Sequence, residues 1–119
     1  MSNKSFTVLD EELQISRAFI DSQKVRGRRI SIIPNVQDDK DRRLFLVFSK
    51  TYGLKLRAKG DITSGYHYAK LGNEEFQNLV DHELCVGEYG LERALFKVCI
   101  EGEKNKVERC DTFELKINN

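Results

Sequence analysis

Basic residues and tyrosines recur within one stretch of the chain, and these two residue types together can bind single-stranded nucleic acid. Such binding needs cations that follow the phosphates and flat side chains on which bases stack. Because neither contact depends on base identity, we expect an affinity that falls with salt and shows no sequence preference. The predicted nucleic-acid-binding residues are Lys24, Arg26, Arg28, Arg29, Lys50, Tyr52, Lys55, Arg57, Lys59, Tyr66 and Tyr68.

Charge is distributed unevenly along the chain. The 119 residues carry a net charge of +1, yet residues 24–59 hold eleven Lys or Arg against three Asp, and the remainder is correspondingly acidic. A split of this kind predicts a positive surface that faces an anionic partner. The densest cluster is Arg26-Gly27-Arg28-Arg29, since a turn between two strands has no structural need for three guanidinium groups.

The same residues also fit plainer interpretations, which the sequence leaves open. Lys55, Arg57 and Lys59 alternate with apolar residues, as on the solvent-facing side of an edge strand. Tyr66 and Tyr68 would equally pack over the core with their hydroxyl groups in water. A second functional hypothesis is therefore a protein-interaction or regulatory module that docks an acidic partner through its basic face.

Motifs for catalysis and metal binding are missing from the sequence. It contains no GxSxG, HExxH or phosphate-binding glycine pattern, so we expect neither an enzyme nor a cofactor. His82 and Cys85 lie three residues apart, with Cys99 and Cys110 further along the chain. Without a CxxC pair, these residues do not predict a zinc site.

Alternation of apolar and polar residues dominates the chain and predicts strands that are half buried against a core. Residues 42–50 contain an apolar run bounded by charges, typical of a central strand. One helix is predicted at 74–84, where Asn73 is a suitable N-cap and apolar residues recur at helical spacing. The other predicted strands are 13–22, 28–34, 94–101 and 107–117, with an extra hairpin between 54 and 71.

Length and composition favour a single domain, residues 1–119, in the cytoplasm. A chain of 119 residues is close to the usual size of one domain. The N-terminus lacks the basic start and apolar run of a signal peptide, and no segment approaches eighteen consecutive apolar residues. Three widely spaced cysteines argue against a disulfide framework and suit a reducing compartment.

The order of these elements, with a helix between the third and fourth principal strands, resembles the OB-fold over residues 13–117. The predicted fold is therefore β-rich α+β, a small OB-like five-stranded barrel with an extra hairpin and one α-helix. In this respect the chain is most similar to the small single-stranded-DNA-binding proteins of bacteriophages. That resemblance implies a homo-oligomer, a dimer or tetramer, which binds single-stranded DNA or RNA in replication or recombination, with a protein of those processes as a further partner.

A second resemblance is local and concerns residues 19–32. The stretch FIDSQKVRGRRISI is similar to the strand, basic turn and strand of Pur-type repeats, which also bind single strands. In that family the helix ends the repeat, whereas here two further strands follow the predicted helix. The sequence departs from the bacterial single-strand-binding pattern as well, since it has no tryptophan and no acidic tail.

Overall fold

The computed structural model of the protein describes residues 5–9, 11–35, 38, 40–41, 43–61, 64–74, 77 and 87–117. Its bounded elements are β1 (Phe6–Leu9), β2 (Glu12–Ser16), α1 (Arg17–Gln23), β3 (Arg29–Pro34), β4 (Leu44–Ser49), β5 (Leu54–Lys55), β6 (Arg57–Lys59), β7 (Tyr66–Lys70), β8 (Gly87–Arg93), β9 (Val98–Glu101), a 3-10 turn (Glu103–Asn105) and β10 (Val107–Ile117). Within this part of the chain, no helix is long and apolar enough to cross a membrane.

The strands form one antiparallel sheet that is curved into a nearly closed barrel. Its order is β5-β3-β4-β10-β8-β1-β2-β7-β6, and β9 pairs with the N-terminal part of β10, residues 107–110. The two ends of this order are consecutive in sequence, because β5 and β6 are separated only by Leu56. Since β5 pairs with β3 and β6 pairs with β7, residues 54–59 join the two edges of the sheet. The fold is β-rich and consistent with a small OB-like barrel, as predicted, and the described residues form ten strands of 2 to 11 residues.

Strand β4 is the centre of the core. All six of its residues are buried, which confirms the central strand predicted at 42–50. It pairs with β3 on one side and β10 on the other. Its Phe48 ring lies 5.6 Å from the ring of Phe113 on β10, and Phe19 from α1 contacts the Phe113 ring at 5.0 Å. The helix is therefore fixed to the barrel by aromatic packing.

The prediction of one strand over 13–22 was wrong, because β2 ends at Ser16 and α1 follows. The Ser16 hydroxyl accepts a hydrogen bond from the Phe19 amide at 3.2 Å and so caps the helix. Phe19 and Ile20 are adjacent, which a helix accommodates by turning both towards the core, whereas a strand would place them on opposite faces. The helix ends at Lys24, which adopts the left-handed conformation at φ 58°.

The two predicted hairpins are present, as β6–β7 and β9–β10. The strand predicted at 94–101 starts only at Val98, because residues 94–97 connect β8 to β9. Strands β1 and β8 were missed. β8 carries two glycines that resemble turn residues, but Gly90 is buried and pairs with Lys116 on β10. The predicted helix at 74–84 lies almost entirely outside the described residues.

Gly53, in the turn between β4 and β5, has a backbone conformation and surroundings that only glycine fits. Its φ is +116°, and a Cβ built there would lie 2.3 Å from the carbonyl oxygen of Ile30. We expect Gly53→Ala to destabilise the protein by about 2 kcal/mol or more, from backbone strain and overpacking together. Gly27 is the matched control, because its φ is +83° but a Cβ there meets nothing within 4 Å. Equal losses for the two variants in urea denaturation would contradict this account.

Candidate nucleic-acid interface

Two cations and two tyrosines lie side by side on the outer face of the β6–β7 hairpin. The pairing register places Lys59 opposite Tyr66 and Arg57 opposite Tyr68. Residues that pair directly across an antiparallel sheet point to the same face. Alternate residues along β7, His67 and Ala69, are buried on the inner face. The four residues therefore form two parallel rows, each with one cation and one aromatic ring, which we call the Tyr–cation face.

The two tyrosine rings are arranged edge to face. Their centroids are 6.2 Å apart and their planes make an angle of 67°. Both side chains are half buried. Because the rings are not parallel, no base fits between them. Each base would instead stack on the outer face of a single ring. The half burial of the rings fits both sequence interpretations, rings on which bases stack and rings that pack over the core with their hydroxyl groups in water.

Strand β2 continues the Tyr–cation face on the other side of β7. Ser16 pairs with Tyr66, Gln14 with Tyr68, and Glu12 with Lys70. The side chain of Gln14 donates to the Glu12 carboxylate at 2.9 Å. The two rows are thus bordered by the uncharged polar side chains of Ser16 and Gln14. Lys70 adds a third exposed cation at the end of β7. Neither Arg57 nor Lys59 forms an ion pair with a described residue.

The arginine cluster at 26–29 is largely engaged in intramolecular contacts. Arg26 pairs with Asp21 at 3.2 Å, and Arg28 pairs with Asp111 of β10 at 3.5 Å. The guanidinium of Arg29 donates to the carbonyl of Gly53 at 3.2 Å. Part of this cluster therefore stabilises the barrel where the sequence had suggested only a solvated or ligand-binding turn.

Lys50 and Tyr52 lie in a different place, an open groove between the β4–β5 turn and the β9–β10 hairpin. Tyr52 is 54% exposed. Acidic groups share this groove, since the Glu108 carboxylate accepts from the Lys50 amide at 2.8 Å and Asp111 lines the same wall. The mixed charge makes this groove a weaker attractor of phosphates than the Tyr–cation face.

Lys24 and Lys55 complete the predicted set. Lys24 is exposed at the C-terminal cap of α1, where its amide closes the helix. Lys55 is exposed on β5, directly opposite Arg29. Lys55 lines a small cavity together with Arg26 and Arg28.

His67 is the residue of this region to which the sequence gave no role. It lies on the inner face of β7, is only 8% exposed and lines the same cavity. Its buried Nε2 atom has no hydrogen-bond partner in the part of the chain that the structure describes. Burial lowers the pKa of the imidazole below its usual value, and the charges of Arg17 and Arg26 lower it further, against the opposing charge of Asp21. Strict alternation with Tyr66 and Tyr68 was the available signal that His67 points inwards.

The lowered pKa of His67 makes stability depend on pH. Below about pH 6.5 the unfolded chain binds a proton at this histidine that the folded protein resists. The free energy of unfolding therefore has its full value above that pH. It decreases as the pH falls towards the pKa of His67 in the folded protein. We expect the melting temperature to fall between pH 7 and pH 5.5, and to fall less in His67→Gln. Parallel pH profiles for the two proteins would show that His67 does not contribute.

Among the described residues, no group of three His, Cys, Asp or Glu side chains is placed to hold a metal ion. Cys110 is buried, as expected for a small apolar residue, whereas Cys99 is exposed on β9. His82 and Cys85 lie outside the described residues. No family model, curated protein or solved structure matches this chain.

Proposed function

We propose that the protein binds single-stranded DNA or RNA without sequence preference, through the Tyr–cation face, in replication or recombination. The observation that carries this proposal is the register of β6 and β7, which sets Lys59 beside Tyr66 and Arg57 beside Tyr68. Each row offers a ring for one base and a cation for one phosphate.

The spacing of the rows supports a strand that runs along β7. Residues two apart on a strand are separated by about 7 Å, which allows successive unstacked bases to meet successive rings. Because every base has a flat face, such contacts do not discriminate among sequences. The neighbouring Gln14 and Ser16 are uncharged, so the only acid in the rows of β2, β7 and β6 is Glu12 opposite Lys70.

Salt dependence tests the role of the cations. We expect Arg57→Ala combined with Lys59→Ala to reduce the slope of log affinity against log salt for oligo-dT by about 1.4, because each lost phosphate contact on a single strand removes about 0.7. The control removes the same charge elsewhere, with Lys40→Ala and Lys104→Asn. Binding is measured by fluorescence anisotropy at several salt concentrations. Equal slopes in both double variants would place the phosphates on another surface.

The competing hypothesis, docking of an acidic protein, predicts a different pattern. An acidic partner needs the cations but has no bases to stack. Poly-glutamate would then bind as tightly as oligo-dT at the same salt concentration. The absence of oligo-dT binding at low salt would remove the nucleic-acid proposal altogether.

A further inference from the structure

A small cavity lies behind the Tyr–cation face, between the turn that follows α1 and the barrel-closing residues 54–59. Its volume is about 240 Å³, and Arg26, Arg28, Lys55 and His67 are among the residues that line it. Pockets that hold drug-sized ligands usually measure roughly 300–1,000 Å³, so this one suits a smaller group. Gly27 in this turn also lines the cavity. A Cβ built on Gly27 would meet no atom within 4 Å.

Among the described residues, Nε2 of His67 is buried with no hydrogen-bond partner, and so is Nε of Arg17, the first residue of α1. Buried polar groups are nearly always paired, and an orphaned one costs free energy. The positive charges of Arg17 and Arg26 lower the pKa of the His67 imidazole, against the opposing charge of Asp21. An anion in the cavity would be attracted by the cations that line it and would counter their effect on this pKa.

The charge balance favours an anion. Arg26, Arg28 and Lys55 line the site, and the acids that pair with them are Asp21, bound to Arg26, and Asp111, bound to Arg28. Asp111 is further occupied by Arg93 at 3.1 Å and Lys97 at 3.7 Å. Guanidinium groups bind phosphate oxygens with short, charge-assisted hydrogen bonds. Phosphate also supplies several acceptor oxygens, which match several donors in a small volume.

We propose that this cavity is a phosphate-binding site, which takes a phosphate monoester or inorganic phosphate with Lys55 among its ligands and His67 in its wall. Where the phosphate is the terminal group of a bound strand, the inference rests on the proposed function. Binding of inorganic phosphate does not depend on it. A strand that lies along β7 would then be held at its end as well as along its length.

Inorganic phosphate is the first probe. We expect it to shift the His67 imidazole resonance in a saturable manner at constant ionic strength, and to raise the pH at which this resonance titrates. Lys55→Gln should raise the dissociation constant at least ten-fold. Lys55 is exposed, so its replacement does not endanger folding. Lys40→Ala, outside both the cavity and the Tyr–cation face, is the control and should bind phosphate as the wild type does. A non-saturable response, or equal affinities in wild type and Lys55→Gln, overturns the proposal.

The second probe separates the strand end from free phosphate. We expect oligo-dT with a 5′- or 3′-terminal phosphate to bind at least five-fold more tightly than the hydroxyl-terminated strand, with the difference lost in Lys55→Gln. Equal binding of the two strands overturns the link to strand ends, while the phosphate site stands on the first probe. If phosphate binds and no oligonucleotide does, the proposed function fails alone.

Discussion

Replacing both Tyr66 and Tyr68 by Ala is expected to weaken oligo-dT binding by at least about 30-fold. Base–aromatic stacking contributes roughly 1–3 kcal/mol per base, and two rings are lost. The salt dependence should change little, because Arg57 and Lys59 remain in place across the hairpin. Fluorescence anisotropy at two salt concentrations measures both quantities in one experiment.

Phe replacements provide the control for the tyrosine pair. Tyr66→Phe with Tyr68→Phe keeps both rings and removes only the hydroxyl groups, so affinity should stay within a few-fold of wild type. The alanine variant must retain a cooperative thermal transition, since both rings are half buried and contact each other. A folded alanine variant with wild-type affinity would show that bases do not stack on this face, and would favour docking by charge alone.

Replacing Phe113 by Ala is expected to cost about 3–5 kcal/mol of stability, as for other large aromatic residues in cores. Its ring is 1% exposed and makes edge-to-face contacts with Phe19 and Phe48. On its remaining side the guanidinium of Arg93 lies 4.8 Å from the ring centroid. One substitution thus removes contacts from α1, β4 and β8 together. Urea denaturation measures the loss.

Leu95→Ala is the matched control for the core substitution. Leu95 is fully exposed in the connection between β8 and β9. Its truncation should change stability by no more than about 0.5 kcal/mol. A loss below about 1 kcal/mol for Phe113→Ala would mean that α1 is not held by the aromatic cluster.

The fold class followed from the sequence because strand periodicity is a local property. The β6–β7 hairpin was predictable for the same reason, since its two strands are joined by a short turn and alternate regularly. Helix α1 was missed because its seven residues follow directly on the alternation of β2. Only the capping hydrogen bond of Ser16 and the packing of Phe19 decide in favour of a helix there.

Charge density in the sequence did not show which cations remain available. Arg28 is paired with Asp111, which lies 83 residues away, and Lys50 is bordered by Glu108, 58 residues away. Strand β10 brings these acids to the basic half of the chain by pairing with β4. Arg57 and Lys59 keep their charges unpaired among the described residues because their neighbours come from β7.

Local pattern therefore specifies which residues alternate, which face of a hairpin they share and that the chain is β-rich, since these depend on neighbours within a few positions. Long-range strand pairing decides the rest. It closes the barrel through residues 54–59, neutralises part of the basic cluster and buries His67 on the inner face of β7. Such contacts form between residues far apart in sequence, and only the folded chain brings their charges and volumes together.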